Sequence, residues 1–185
     1  MVPEPSPPGR GAGPAADENA VVTGVPVRPA DERDAAWIAD GVATAWGSTQ
    51  VARLGELVDA ATLPALVAEL GGERAGHLTY AVRGDECEVV TLLALVTGRG
   101  VGRALLTGCA ELAAARGCCR LWLVTTNDNA AAFAFYQRVG MDLRALHRDD
   151  VTRARRLKPA IPLVGAAGVP IRHALEFELE LARRR

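Results

Sequence analysis

The chain lacks several features that would point to other kinds of protein. No apolar run approaches the roughly 18 residues a membrane helix needs, so no spanning segment is expected. Net charge is nearly absent: 21 Lys+Arg against 22 Asp+Glu leave −1. That is too little to concentrate nucleic acid or an anionic membrane. Lysine is scarce, with Lys158 alone among abundant arginine. Cys87, Cys109, Cys118 and Cys119 fit no CxxC zinc or redox spacing. The adjacent pair suits a disulfide framework poorly, so the four read as buried thiols of a cytoplasmic protein. His77, His147 and His173 do not cluster, and no metal is expected.

What remains is an ordinary globular composition, 49% hydrophobic and 23% charged over 185 residues, enough for one domain with a real core. Met1–Asn19 carries Pro3, Pro5, Pro7, Pro8 and Pro14 and no apolar h-region. A disordered leader over 1–20 is expected, followed by a single domain over 21–185.

Val21–Arg28 reads as a first strand. Asp31, with Asp34 three residues on, offers an N-cap to an amphipathic helix ending near Gly47. Val51–Val58 has the spacing of a second helix. Leu63–Leu70, Ala75–Arg83 and Glu86–Val96, parted by Gly71-Gly72 and Gly84-Asp85, form an antiparallel meander. Gly100–Arg116 is helical, with Val101, Leu105, Cys109 and Leu112 on one face. Leu121–Thr125 is a strand, Ala130–Val139 a helix capped by Asp128 or Asn129, and Met141–His147 a strand. The strands flanking the Gly100–Arg116 helix are expected to pair in parallel. Asp149–Leu157 has the look of a basic helix and Lys158–Pro170 of a loop. His173–Leu181 alternates Leu175, Phe177 and Leu179 against Glu176, Glu178 and Glu180, a strand with an acidic outer face.

Two segments carry chemistry. Leu95-Val96-Thr97-Gly98-Arg99-Gly100-Val101-Gly102-Arg103-Ala104 lies where a strand ends and a helix begins. Glycines there admit a close ligand, and the free N–H groups of the first helical turn, with the macrodipole, favour a pyrophosphate. Arg99 and Arg103 add positive charge. A P-loop would need Lys and Ser/Thr where Arg103-Ala104 stands. A dinucleotide fingerprint fails from either Gly98 or Gly100. A glycine-rich turn without a ligand is the plain alternative.

The second segment decides between them. Asn127-Asp128-Asn129-Ala130-Ala131-Ala132-Phe133-Ala134-Phe135-Tyr136-Gln137-Arg138-Val139-Gly140-Met141 resembles the NxxAxxxYxxxGF signature of the GNAT N-acetyltransferases. The glycine turn resembles that family's R/QxxGxG/A acetyl-CoA segment, with Thr97 where Arg or Gln is usual and Met141 in place of Phe. The likeness is specific over Leu92–Leu106 and Leu121–Met141.

The resemblance implies the GNAT fold, an α/β (α+β) domain. Its mixed central sheet has about seven strands: an antiparallel N-terminal meander, then a splayed parallel pair, flanked by about four helices. It implies acetyl-CoA as co-substrate and an amine acceptor, with a homodimer as a common family habit and His173–Leu181 as an edge strand for it. The strand Glu86–Val96 would carry a bulge and open from Leu121–Thr125 for the pantetheine arm. Leu95 and Val96 would supply backbone contacts there, with an N–H near Leu95 on the thioester carbonyl. Thr97 through Ala104 would hold the pyrophosphate, Asn129 the arm, and Tyr136 would protonate the leaving thiolate.

Glu88 is the candidate general base, expected on one face with Val90 and Leu92; water alone is the alternative. Asp149–Arg172, with Arg153, Arg155, Arg156 and Lys158, reads either as a flap attracting an acidic acceptor or as a solvated basic helix and turn. Trp37, Trp46 and Tyr80 are pocket or core. A non-catalytic acyl-CoA-binding module on the same scaffold is the competing function.

Overall fold

The computed structural model describes residues 24–165 and 167–182. The leader expected over 1–20, the Val21–Thr23 start of the first strand and positions 183–185 lie outside them. Among the described residues no helix is long and apolar enough to cross a membrane.

A short strand, β1 (Val27–Pro29), leads into a 3-10 turn and helix α1 (Ala35–Trp46). The expected cap is present as a reciprocal box: Arg33 N–H donates to Asp31 and Asp31 N–H to Asp34. Asp34 is fully buried and receives the guanidinium groups of Arg28 at 2.6 Å and Arg74 at 2.9 Å. These contacts tie the start of α1 to the strands beneath it.

The meander follows as β4 (Ala65–Leu70), β5 (Glu73–Arg83) and β6 (Glu86–Ala94). Helix α2 (Val101–Ala115) crosses over to β7 (Arg120–Thr126), which pairs with β6 in parallel as expected. Helix α3 (Ala130–Arg138) leads to β8 (Asp142–His147), helix α4 (Asp150–Ala154) and β9 (Ala174–Glu180). The sheet has seven strands in the order β1-β4-β5-β6-β7-β9-β8, and β6–β7 is its parallel pair. Helices α2 and α3 cover one face over the main core, where Leu78, Leu105, Leu121 and Phe177 are fully buried. Helix α1 covers the other face, with Ile38, Val42 and Val67 in a second cluster.

The remaining pair, β2 (Gln50–Arg53) and β3 (Glu56–Asp59), corrects the helix expected over Val51–Val58. Val51, Leu54 and Val58 have helical spacing, but the chain turns back at Leu54-Gly55, where φ is 45° and 80°. Two consecutive left-handed residues make the tight turn a hairpin needs. Leucine pays for that conformation, and the Leu54 N–H finds its partner 96 residues away, donating to Asp150 at 3.1 Å.

Three other expectations change. The basic helix over Asp149–Leu157 shrinks to Asp150–Ala154. Strand β9 is not an edge: it lies between β7 and β8. Its glutamates are therefore not an outer fringe, because Glu176 is buried and takes Arg120 of β7 at 2.8 Å and His147 of β8 at 2.7 Å. Tyr80 is buried in the main core rather than lining a pocket, while Trp37 packs edge-on against His77 at 5.2 Å.

Candidate active site

The site is a fork in the sheet. Opposite β5, Thr79 faces Thr91 and Tyr80 faces Val89, so Val90 is an extra residue, the bulge expected in β6. Pairing of β6 with β7 ends at Val89–Leu123, while β6 runs on to Ala94 and β7 to Thr126. Past the fork β7 leans entirely on β9.

The bulge also resets which way side chains point. Glu88 and Val90 face α1 and the β2–β3 hairpin, whereas Leu92 packs into the opposite core with Val89. Leu92 is thus not on the face of Glu88, because the inserted residue shifts the alternation by one.

Leu95 donates its N–H to the Ala75 carbonyl at 2.9 Å. That donor belongs to the sheet and is not available to a thioester. Alternation then turns the amides and carbonyls of Leu92 and Ala94 toward the open side. Val96 follows, 39% exposed, at the mouth.

The turn Thr97–Arg99 is exposed and ends at Gly100, the N-cap of α2 in the left-handed region at φ 78°. Gly100 has no side chain to cap the helix, and the first helical bond is Ala104 N–H to Gly100 at 2.9 Å. The N–H groups of Gly100, Val101, Gly102 and Arg103 are the uncapped donors of this terminus. Ala104, expected among the ligand contacts, spends its amide inside the helix. Arg103 turns its guanidinium to the Arg138 carbonyl at 3.0 Å, latching α2 to the end of α3. Arg99 remains exposed beside the turn.

Close packing seats this helix. A Cβ at Gly102 would come within 3.0 Å of Phe135 of α3, and a Cβ at Gly76 within 2.7 Å of Val101. Asn129 caps α3, its side-chain oxygen accepting from Ala132 N–H at 3.1 Å. About two turns further on, Tyr136 lies 9% exposed between Phe135 and Phe177, with ring centroids 5.4 Å from each. Burial pushes its phenol up to about 12, so it stays protonated through the neutral range.

Across the sheet, Glu88 is 2% exposed. Burial raises its carboxyl above the ordinary range, while the Arg53 guanidinium pulls the other way. Arg53 was hidden inside the segment misread as helix. Asn127, which opens the second motif segment, uses its side chain to hold the Pro170 carbonyl and the amides of Arg172 and His173.

The segment 149–172 is stapled by its own cations. Arg155 donates to the carbonyls of Ile161, Pro162 and Ile171. Lys158 donates to Trp46 at 2.8 Å and Gln50 at 2.5 Å, and Arg153 to Arg148 at 2.9 Å. The segment's exposed side chains include Arg153, Arg156 and Arg172 as well as Leu163 at 72% and Val164 at 51%. A separate cavity of about 570 Å³ lies between α1 and the β4–β5 turn, where Arg28 and Arg74 are already paired with Asp34.

Comparison with known proteins agrees with this arrangement. The acetyltransferase (GNAT) family matches residues 30–141. YdhI, an uncharacterised protein of Bacillus subtilis (strain 168), is 37% identical over 141 residues, 76% of this chain and 88% of its own length. A Bacillus subtilis acetyltransferase solved with CoA superposes with a TM-score of 0.61 at 18% identity, over 86% of this chain and 100% of its own. The acetyltransferase yncA of Salmonella typhimurium, a putative one by its description and solved with acetyl-CoA, gives 0.61 at 18%, over 88% and 97%. At such identities these two likenesses concern the fold; the family match and the YdhI relationship go further. The chain belongs to the GNAT acetyltransferase family.

Proposed function

We propose that this protein transfers the acetyl group of acetyl-CoA to a primary amine of a small molecule or protein, by direct attack. The observation that carries the reading is the fork itself. A buried phenol stands on one face of the sheet and a buried carboxylate on the other, with unpaired strand between them.

The uncapped amides of Gly100–Arg103 suit a pyrophosphate, with Arg99 adding charge and Thr97 and Gly98 shaping the approach. The inward amides of Leu92 and Ala94 offer an extended, amide-bearing arm the hydrogen bonds of a missing strand, in the role expected of Leu95. Val96 and Asn129 border that arm. Bound acetyl-CoA supplies an acetyl thioester. The chain's own groups then handle protons: Glu88 accepts one from the acceptor ammonium, and Tyr136, held neutral, donates one to the departing sulfur. Both groups sit in a site screened from water, where such donors are most effective.

Calorimetry with CoA and acetyl-CoA, followed by thiol release against polyamines, amino acids, aminoglycosides and peptide N-termini, tests the proposal. Binding of both thiol forms, with release only when an amine is present, is expected. Folded protein with no affinity for CoA would end it. Binding without turnover on any amine would favour a non-catalytic acyl-CoA module.

A further inference from the structure

We infer that Arg53, carried on the β2–β3 hairpin, is the positioning residue for Glu88, holding both carboxylate oxygens against its guanidinium beside the fork. The inference rests on the proposed role of Glu88 as base.

Arg53 and Glu88 lie 35 residues apart in sequence and are both buried, at 5% and 2% exposure. The Arg53 Nη2 donates to Glu88 Oε2 at 2.5 Å. Arg53 Nε comes equally near Oε1 at 2.5 Å, but the approach is misaligned, and Nε and Oε1 are both buried without a hydrogen bond. Both oxygens therefore face the guanidinium, which fixes the plane of the carboxyl group. Here Oε1 belongs to the residue one step before the fork opens, opposite Trp122 of β7.

The hairpin makes Arg53 rigid. Its turn is tied to Asp150 through the Leu54 N–H at 3.1 Å. On the outer side Arg53 Nη1 donates to Glu56 of β3 at 3.0 Å, and Glu56 is gripped in turn by Arg83 of β5 at 2.9 Å. The guanidinium is thus clamped between an exposed carboxylate and a buried one. The charged groups acting on Glu88 are therefore Arg53 from β2, Arg83 from β5 and Glu56 from β3. Of these, Arg53 is the charge that most strongly opposes the effect of burial on the Glu88 carboxyl. Without it Glu88 becomes a buried acid that holds its proton to higher pH and cannot take another.

The test is acceptor-independent at its first step. Carbon-13 NMR of the labelled glutamates follows the Glu88 carboxyl against pH in the wild type, Arg53→Gln and Arg53→Lys, with Glu88→Gln assigning the signal. In Arg53→Gln the midpoint should rise by about one pH unit or more, a tenfold change in the protonated fraction. Arg53→Lys, which keeps the charge, should recover most of it and guards against a Gln variant that does not fold. With the best amine of the panel, the acid limb of kcat/KM should move by the same amount while KM for acetyl-CoA stays fixed. A midpoint unmoved in both variants overturns the inference and leaves the acetyl-transfer reading standing. A midpoint that moves while Glu88→Gln turns over like the wild type removes Glu88 as base, and the role of Arg53 falls with it.

Discussion

Replacing Gly76 with alanine sets two effects of opposite sign against each other. Gly76 sits in β5 without a left-handed φ, so alanine can adopt its backbone. Narrowing the unfolded ensemble would then stabilise the variant by about 0.4–1 kcal/mol. Against that, the new methyl would lie 2.6 Å from the Leu93 carbonyl oxygen and 2.7 Å from Val101 Cγ1. The oxygen belongs to a backbone held in register by β5 itself and cannot swing aside. Overpacking of this kind costs about 1–3 kcal/mol, so the clash wins by roughly 1–2 kcal/mol. For a domain of this size that corresponds to a fall in Tm of about 2–8 °C. The functional effect should exceed the thermal one, because Leu93 lies just past the bulge and Val101 opens α2. One methyl pushes on the walls of both the proposed arm site and the proposed pyrophosphate site. Melting curves and acetyl-CoA calorimetry on Gly76→Ala, Val101→Ala and the double variant check this. Trimming Val101 should relieve part of the strain, giving a favourable coupling of about 0.5 kcal/mol or more. A Gly76→Ala protein that melts at or above the wild type with unchanged affinity would refute the reasoning.

Three further outcomes are expected. Tyr136→Phe should lower kcat by about a hundredfold or more while leaving acetyl-CoA binding intact, measured by thiol release and calorimetry; unaltered turnover across pH would remove Tyr136 as the acid. His77 is fully buried with both ring nitrogens unpartnered, and burial lowers its pKa from 6.5 to about 4. The unfolded chain therefore binds the extra proton first, and stability present above the ordinary value drains as pH falls from 6.5 toward 4. Urea unfolding should show a loss of about 2 kcal/mol from this group between pH 7 and 5, absent in His77→Leu; equal losses in both proteins would count against it. Arg155→Met strips donors from the Ile161, Pro162 and Ile171 carbonyls. Proteolysis within 157–170 should quicken and acceptor KM rise, with acetyl-CoA affinity unchanged; an equally resistant loop would mean the staple is not holding it.

The parts of the fold written in short-range pattern were legible. The Asp31–Asp34 box and the apolar stripe of α2 each follow from neighbours in sequence, and each is where the pattern put it. The β2–β3 hairpin was not legible, because Leu54-Gly55 is no strong hairpin dipeptide and its turn depends on Asp150, far along the chain. Missing the hairpin meant missing Arg53. Glu88 was found by its place on a strand, but its face relative to Leu92 was misjudged, since one inserted residue at Val90 leaves no mark in composition. Motif reasoning placed the glycine turn and Tyr136 together. It could not tell which amides were already spent, as those of Leu95 and Ala104 are, because that depends on register.

A sheet ordinarily keeps its unsatisfied margins at its rims; this one keeps a margin in its middle. In the proposed function, the backbone beyond Val89 recognises something strand-like, the amides of an arm rather than the group at the tip. On the proposed reading, spent carrier and loaded carrier fit that slot equally well. Accumulating thiol product should therefore compete with fresh donor.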